Sequence, residues 1–323
     1  MSFSRESKIE ILKKDIPEND CCMFAFLSGL FHSSGEIAKS NGKYIASFVT
    51  DVPEVYDYVN RIIHKLYGDW LEIEIEDDYV INKTTYYRIS ISKENSERVL
   101  NDIGVLNLSQ DGYEINWGID DNLVHETCCK KAFIKGAYIG GSTSSIRLSG
   151  QEKWKKTTSG YHIEFTSHSH QFLMDLSSLL AEFGILSKLV ERKTLYVLYI
   201  KEAELIKDLL AIIEADDMVL ALSNEIITRE QRNKVNREVN CINANINKTV
   251  EASLRQVEAI NIISETIGID ALPEDLQEVA MLRLANPEES LLELLNLSTI
   301  KLTRSGLNHR LKKLQKIAET LKD

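Results

Sequence analysis

The stretches CCMFAFLSGLFHSSG (residues 21–35) and CCKKAFIKGAYIGGS (residues 128–142) are two copies of one motif. A constant offset of 107 residues carries Cys21 to Cys128, Cys22 to Cys129, Phe26 to Phe133 and Gly29 to Gly136. A repeat of this length marks two copies of one supersecondary unit rather than a solenoid. Gly29 and Gly136 fall in the middle of apolar segments that read as helix. Glycine costs about 1 kcal/mol there relative to alanine. That cost is tolerable where two helices meet backbone to backbone, because glycine has no Cβ. The repeat therefore predicts a pseudo-twofold interface along the two motif helices.

The elements after each copy follow one order. In the first, KYIASFVTD (43–51) alternates as a strand, and PEVYDYVNRIIHKLYG (53–68) places Val55, Val59, Ile62 and Leu66 at helical spacing. WLEIEIEDD (70–78) and TTYYRISIS (84–92) alternate as a hairpin, and ENSERVLNDIG (94–104) closes as a helix. In the second, SSIRLSG (144–150) and GYHIEFTSH (160–168) read as strands, HQFLMDLSSLLAEFG (170–184) as a helix, GILSKLVERK and TLYVLYIKE as a hairpin, and AELIKDLLAII (203–213) as the closing helix. The order is αββαββα twice, an α+β arrangement with helices on one face of antiparallel sheets. The repeats span about 20–104 and 127–213 within a domain of residues 1–215.

Residues 216–248 differ. NEIITREQRNKVNREVNCINANINK is rich in Asn and Arg and reads as a polar, partly helical linker without a continuous apolar face. Its Arg229, Arg232, Lys234 and Arg237 are interrupted by Glu225, Glu230 and Glu238, the pattern of a solvated face. Residues 249–323 read as helices throughout. NPEESLLELLNL carries Asn286, Pro287 and Glu289 as a start signal, and Thr303 is a good N-cap for the last helix.

Short helices before a basic last helix predict a helix-turn-helix. Leu307, Leu311, Leu314, Ile317 and Leu321 form its inner stripe, and Arg304, Ser305, Asn308, His309, Lys312 and Lys316 lie outside. The net charge of −11 argues against a nucleic-acid partner only if charge is evenly spread. Between Lys301 and Lys316 there are six Lys and Arg and no acid. Arg304 and Asn308 are the candidates for base contacts, since Arg pairs with guanine and Asn with adenine through bidentate bonds. Lys301, Arg310, Lys312, Lys313 and Lys316 suit phosphates, which give affinity without sequence. The competing reading is a solvated terminal helix that merely packs on its neighbours. The turn region NLSTIKL (296–302) has no glycine.

The motif helices resemble the LAGLIDADG helices of homing endonucleases, in which the last acidic position of each helix binds the metal that cuts DNA. Here that position is Ser34 in the first copy and Gly141 in the second. His32 and Ile139 replace the other acid, and Glu36 has only Thr143 as its counterpart. Metal-assisted hydrolysis needs oxygen ligands from both helices. The expectation is a silent nuclease scaffold, with no catalytic residue, metal or cofactor. The alternative is an active endonuclease or maturase, which an acid at position 34 or 141 would favour.

Five cysteines occur as Cys21–Cys22, Cys128–Cys129 and Cys241. Adjacent cysteines lack the C-x-x-C spacing of zinc sites, so they read as small apolar residues at helix starts, with a redox sensor as the alternative. His162, His168 and His170 read as turn histidines. No apolar run approaches the roughly 18 residues of a membrane span, and MSFSRESKIEILKKD is too charged for a secretory signal. A cytoplasmic, nucleoid-associated protein is expected.

Taken with SFSRESKIEI (2–11), NREVNCINANINKTVEASLRQVEAI (236–260), LPEDLQEVAMLRLANPEESLLELL (272–295) and TRSGLNHRLKKLQKIAE (303–319), the chain resembles the WhiA family of bacterial regulators over nearly its whole length. The resemblance implies a tandem LAGLIDADG-like domain followed by a helix-turn-helix similar to region 4 of sigma factors. It implies a non-enzymatic transcription regulator of cell division, chromosome segregation or sporulation, with double-stranded DNA as partner; the alternative is an interaction scaffold whose helix-turn-helix docks a protein partner, a sigma factor or another regulator. Lys301, Thr303, Arg304, Ser305, Asn308, His309, Arg310, Lys312, Lys313 and Lys316 then fall in the DNA-reading element.

Overall fold

The two motif segments fold as predicted, each into a 15-residue helix buried along most of its length. The computed structural model describes residues 2–81, 84–109, 112–146, 160–299 and 301–322. It contains two compact units, Met1–Thr228 and Arg229–Asp323.

In the first unit, α1 (Phe3–Leu12) precedes the first copy of the repeat. That copy runs α2 (Asp20–Ser34), β1 (Gly35–Ser40), β2 (Lys43–Thr50), α3 (Glu54–Tyr67), β3 (Ile73–Ile81), β4 (Thr84–Ile91) and α4 (Ser96–Asp102). A small hairpin follows, β5 (Leu106–Ser109) and β6 (Gly112–Ile115), which the sequence reading did not anticipate. The second copy runs α5 (Thr127–Gly141), β7 (Ser142–Ser144), β8 (Ile163–Ser167), α6 (His170–Glu182), β9 (Lys188–Arg192), β10 (Leu195–Ile200) and α7 (Ala203–Ile212). Each copy builds a four-stranded antiparallel sheet, in the orders β1-β2-β4-β3 and β7-β8-β10-β9. The strand expected over 144–150 is described only to residue 146.

β1 is the strand that the αββαββα order requires before KYIASFVTD, and its turn signal is present in the sequence. Asn41 and Gly42 both take positive φ, 51° and 79°. That is the Asn-Gly pair of a two-residue hairpin, whose twist suits the strands it joins.

α2 and α5 form the centre. Phe26, Leu30, Phe133 and Ala137 are buried there, and α3 and α6 cover them with Val55, Val59 and Ile62 and with Phe172, Leu173 and Leu176. Burying a large apolar side chain contributes about 1.5–3 kcal/mol, so this contiguous core sustains the pairing. α1 is tied to α5 by a buried hydrogen bond of 2.7 Å between the Ser7 and Tyr138 hydroxyls.

The stretch expected as a polar connector with part of it helical is helix throughout. α8 runs unbroken from Asp216 to Thr266. It contains no glycine or proline, so nothing interrupts the backbone ladder before Gly268. A narrow apolar stripe also exists: Val235, Val239, Ile242, Ile246 and Val250 recur every three or four residues and are exposed.

The second unit packs four helices around one core. Ala259, Ile260 and Ile263 come from α8, and Leu276, Val279 and Ala280 from α9 (Glu274–Ala285). Leu294 comes from α10 (Leu291–Leu297), and Leu307, Leu311, Leu314 and Ala318 from α11 (Arg304–Lys322). The start of α10 differs from expectation. Ser290 is its N-cap and Glu293 closes a reciprocal capping box: Glu293 N donates to Ser290 Oγ (3.3 Å) and Ser290 N to Glu293 Oε2 (2.8 Å). Asn286 closes α9 instead, its side chain donating to the Leu282 carbonyl (3.0 Å).

Candidate nucleic-acid interface

Ser34 and Gly141, the positions of the metal-binding acids in LAGLIDADG nucleases, lie where α2 and α5 end. Ser34 Oγ donates back to the Leu30 carbonyl at 3.0 Å, and Ser33 Oγ to Gly29 at 2.8 Å. A Cβ on Gly141 would stand 2.9 Å from Ser33 Cβ, too near for any side chain unless Ser33 moves. Ser33, Ser34, Gly140 and Gly141 border a cleft of about 430 Å³ that Lys8 and Arg5 also line. Lys8 is buried, and desolvation lowers its pKa from 10.5 while Asp51 opposes the shift. Glu36, two residues past the motif position, is engaged by Arg88 at 2.6 Å, and Asp51, the carboxylate that lines the cleft, faces the charge of Lys8. A divalent cation needs hard oxygen ligands and net negative charge. Two serines or glycines beside a buried lysine do not fit that need.

His32 faces the core, stacked on Phe172 with 5.5 Å between ring centres. Its Nδ1 donates to the Ser28 carbonyl at 2.9 Å. Burial lowers its pKa below 6.5, more than the nearby backbone carbonyls and Asp175 raise it. Its ring packs half-buried against the core, where desolvation disfavours the protonated form. His162 stacks on Tyr199 and lies 3.0 Å from Glu164, and His170 packs edge-on against Tyr196. These histidines serve the second sheet rather than a common centre.

α11 offers different chemistry. Thr303 caps it, its Oγ1 accepting from Gly306 N at 3.1 Å. Leu307, Leu311, Leu314 and Ala318 face inward, so Ser305, His309, Lys312 and Lys316 form the stripe directly opposite, and all four are exposed. Arg304 and Lys301 are exposed beside the start of the helix, and Lys313 on its far flank. Asn308 is half-buried at the edge. Arg310 turns inward: its Nε meets Asp275 Oδ2 of α9 at 3.2 Å. It joins α11 to α9 and is poorly placed for a phosphate, although its residue type suggested one. Of the turn 296–302, Ile300 lies outside the described residues.

The sequence reading missed Arg283. It is only 2% exposed, and its Nη1 donates to the carbonyls of Asn286 (3.2 Å) and Glu289 (2.7 Å) and to Ser253 Oγ (3.4 Å). Ser253 in turn donates to the Pro287 carbonyl. One buried guanidinium thus holds the connection between α9 and α10. Nothing in the spacing of apolar residues marks an arginine on that face as internal.

A protein from Thermoanaerobacter pseudethanolicus named as a probable cell division protein WhiA is 38% identical to this chain, covering 100% of it and 99% of its own length. The chain belongs to the WhiA family. Residues 20–106 match the WhiA N-terminal LAGLIDADG-like domain, 130–232 the WhiA LAGLIDADG-like domain and 235–318 the WhiA C-terminal HTH domain. A Bacillus licheniformis WhiA, named in the same way, is 37% identical over 100% of the chain and 98% of its own length. The crystal structure of full-length WhiA from Thermatoga maritima covers 99% of both chains with a TM-score of 0.58 at 24% identity. The fold is thus the α+β LAGLIDADG-like pair followed by a helix-turn-helix, and the WhiA helix-turn-helix match includes Arg304 through Ala318. No helix among the described residues is long and apolar enough to cross a membrane.

Proposed function

We propose that this chain is a non-enzymatic DNA-binding regulator acting in cell division, and that α11 reads double-stranded DNA. The observation that carries the reading is the exposed stripe Ser305, His309, Lys312 and Lys316, flanked by Arg304 and Lys301 and backed by a buried leucine face. Helix-turn-helix proteins present the first turns of the second helix to base edges in the major groove. Arg304 and Asn308 sit in those turns as base readers, with Lys301, Lys312, Lys313 and Lys316 on phosphates. The names of the relatives support a part in cell division. Control of transcription is the form such a role takes in this reading, with the repeat domain as a scaffold that no longer cuts.

Genome-wide crosslinking of the protein to DNA, followed by binding to the recovered sites across a salt series, tests the proposal. Recurrent sites and a steep fall of affinity with salt are expected, because phosphate contacts release counterions. Association without recurrent sites and without a salt slope would point instead to a protein partner such as a sigma factor.

A further inference from the structure

The repeat brings together four side chains that are scattered in the sequence. Cys21 and Cys22 occupy the first turn of α2, and Cys128 and Cys129 the first turn of α5. The sulfur atoms of all four lie within 4.8 Å of one another. Cys22 Sγ is 3.9 Å from Cys129 Sγ, and Cys128 Sγ is 4.0 Å from Cys129 Sγ. Cys22 and Cys129 are buried against each other, whereas Cys21 and Cys128 are exposed.

We propose that these four cysteines form a tetrathiolate site for a thiophilic divalent cation of the Zn²⁺ class, which clasps the two halves of the repeat at the start of the motif helices. Zinc with four sulfur ligands is tetrahedral with Zn–S of about 2.3 Å, which sets the S···S edges at about 3.8 Å. The observed separations need to close by less than about 1 Å to reach that figure. Soft thiolates select such ions over the hard cations that the other end of the same helices would need for nuclease chemistry. The two ends are about 18 Å apart, from the helical rise between Cys22 and Ser34.

The helix starts favour the anionic form, and burial of the inner pair opposes it. Both pairs sit at helix N-termini, where the macrodipole and free backbone N–H groups stabilise thiolates. Burial pushes the Cys129 thiol up to about 12 and raises Cys22 as well, so desolvation disfavours an unpaired thiolate there. The hydrogen bond from Cys22 lowers the exposed Cys128. Binding then displaces thiol protons: four R–SH and one Zn²⁺ give Zn(SR)₄²⁻ and four H⁺, with no change of oxidation state.

The spacing departs from the usual knuckle for a structural reason. In C-x-x-C one chain segment supplies both ligands of a pair from a turn. Here adjacent residues on each helix supply one inward and one outward sulfur, and the pseudo-twofold axis supplies the second set. No sequence rule applied to one copy alone finds such a site.

The test uses the full chain, reduced and stripped with a chelator, then titrated with Co²⁺. The expected result is the intense visible d–d absorption of a tetrahedral Co²⁺ thiolate, saturating at one ion per chain and bleached by Zn²⁺. Zinc should also shield Cys21, Cys22, Cys128 and Cys129 from alkylation, read by peptide mass spectrometry, while the exposed Cys241 of α8 reacts at an unchanged rate. The double variant Cys21→Ser/Cys128→Ser leaves the buried pair intact and should lose the bands. Three results would overturn the proposal. One is a folded, reduced wild-type chain that gives only the hydrated Co²⁺ spectrum. Another is equal alkylation of all five thiols with and without zinc. The third is a Cys22–Cys129 disulfide that forms in air even with zinc present, which would make the cluster a redox pair.

Discussion

A Cβ placed on Gly136 would stand 2.0 Å from the carbonyl oxygen of Phe26. The repeat reproduces the relation: a Cβ on Gly29 would stand 2.1 Å from the carbonyl oxygen of Phe133. Both obstacles are backbone atoms of the partner helix, which cannot swing aside as a side chain can. The closeness of α2 and α5 is therefore set by these two glycines, and everything borne by the helix ends depends on it.

Gly136→Ala is expected to destabilise the first unit by roughly 2–3 kcal/mol, the upper part of the overpacking range. For a unit of this size that is a fall in Tm on the order of 5–10 °C. Scanning calorimetry measures it. A Tm unchanged from wild type would mean that the helices are not in backbone contact at this point.

Ser34 and Gly141 yield a second expectation. Pure protein should leave DNA uncut in Mg²⁺ or Mn²⁺. Restoring the acids with Ser34→Asp and Gly141→Asp should not create a nuclease, because Gly141 has no room for a side chain beside Ser33 and Lys8 opposes a cation in the same cleft. A supercoiled plasmid cleavage assay decides it, and turnover by the double variant would show that only the two acids had been lost.

His32 predicts a pH dependence. Its folded pKa lies below 6.5, so the unfolded chain takes up a proton more readily. Stability from this residue is fully present above the unfolded value and is lost as pH falls through 6.5 toward the lower folded value. His32→Phe keeps a ring between Phe133 and Phe172 and removes the titration. Urea midpoints from above neutrality down to about pH 5 should decline more steeply for wild type than for the variant. Parallel curves would assign the acid sensitivity to other groups.

Arg283→Met keeps the aliphatic stem and deletes the guanidinium. The carbonyls of Asn286 and Glu289 then lose a buried partner, at roughly 1–3 kcal/mol. Faster amide hydrogen exchange around residues 286–290 is expected, with weaker DNA binding that follows from it. Wild-type exchange in that segment would remove Arg283 as the element that fixes the α9–α10 connection.

Much of this fold is legible from local pattern, and the failures have physical causes. Val55, Val59 and Ile62 report their helix because one face is buried. Leu307, Leu311 and Leu314 do the same for α11, where Ala318 joins them and Ile317 and Leu321 pack half-buried against the same core. The Asn41–Gly42 pair carries the hairpin signal in the sequence. In α8 polarity suggests a connector, whereas the absence of glycine and proline decides helix continuity. Arg283, the turn of Arg310 toward Asp275 and the gathering of four cysteines arise from tertiary contacts. Residue type alone names those side chains but not their direction.

The helix face proposed to meet DNA gives the most direct test of function. Arg304 stands exposed at the first turn of α11, the part of a recognition helix that reaches base edges. Lys312 lies on the outward stripe two turns later. A guanidinium fork that bonds one guanine edge discriminates by about 1–3 kcal/mol. Arg304→Ala should therefore lose affinity only where that base is present. Asn308→Ala should do the same at a neighbouring position and more weakly, since Asn308 is half-buried at the edge of the face. Lys312→Ala should weaken all sequences alike and lower the salt slope by about one unit, because an ammonium on a phosphate releases a counterion without reading a base. Arg310→Ala should act differently again: its bond to Asp275 is internal, so stability should fall while the salt slope stays near that of wild type. Binding of the four variants to single-base variants of a recovered site, at several salt concentrations, separates these outcomes. An identical, sequence-blind loss from Arg304→Ala and Lys312→Ala would dissolve the division between reading and positioning residues, and α11 would then be an electrostatic anchor alone.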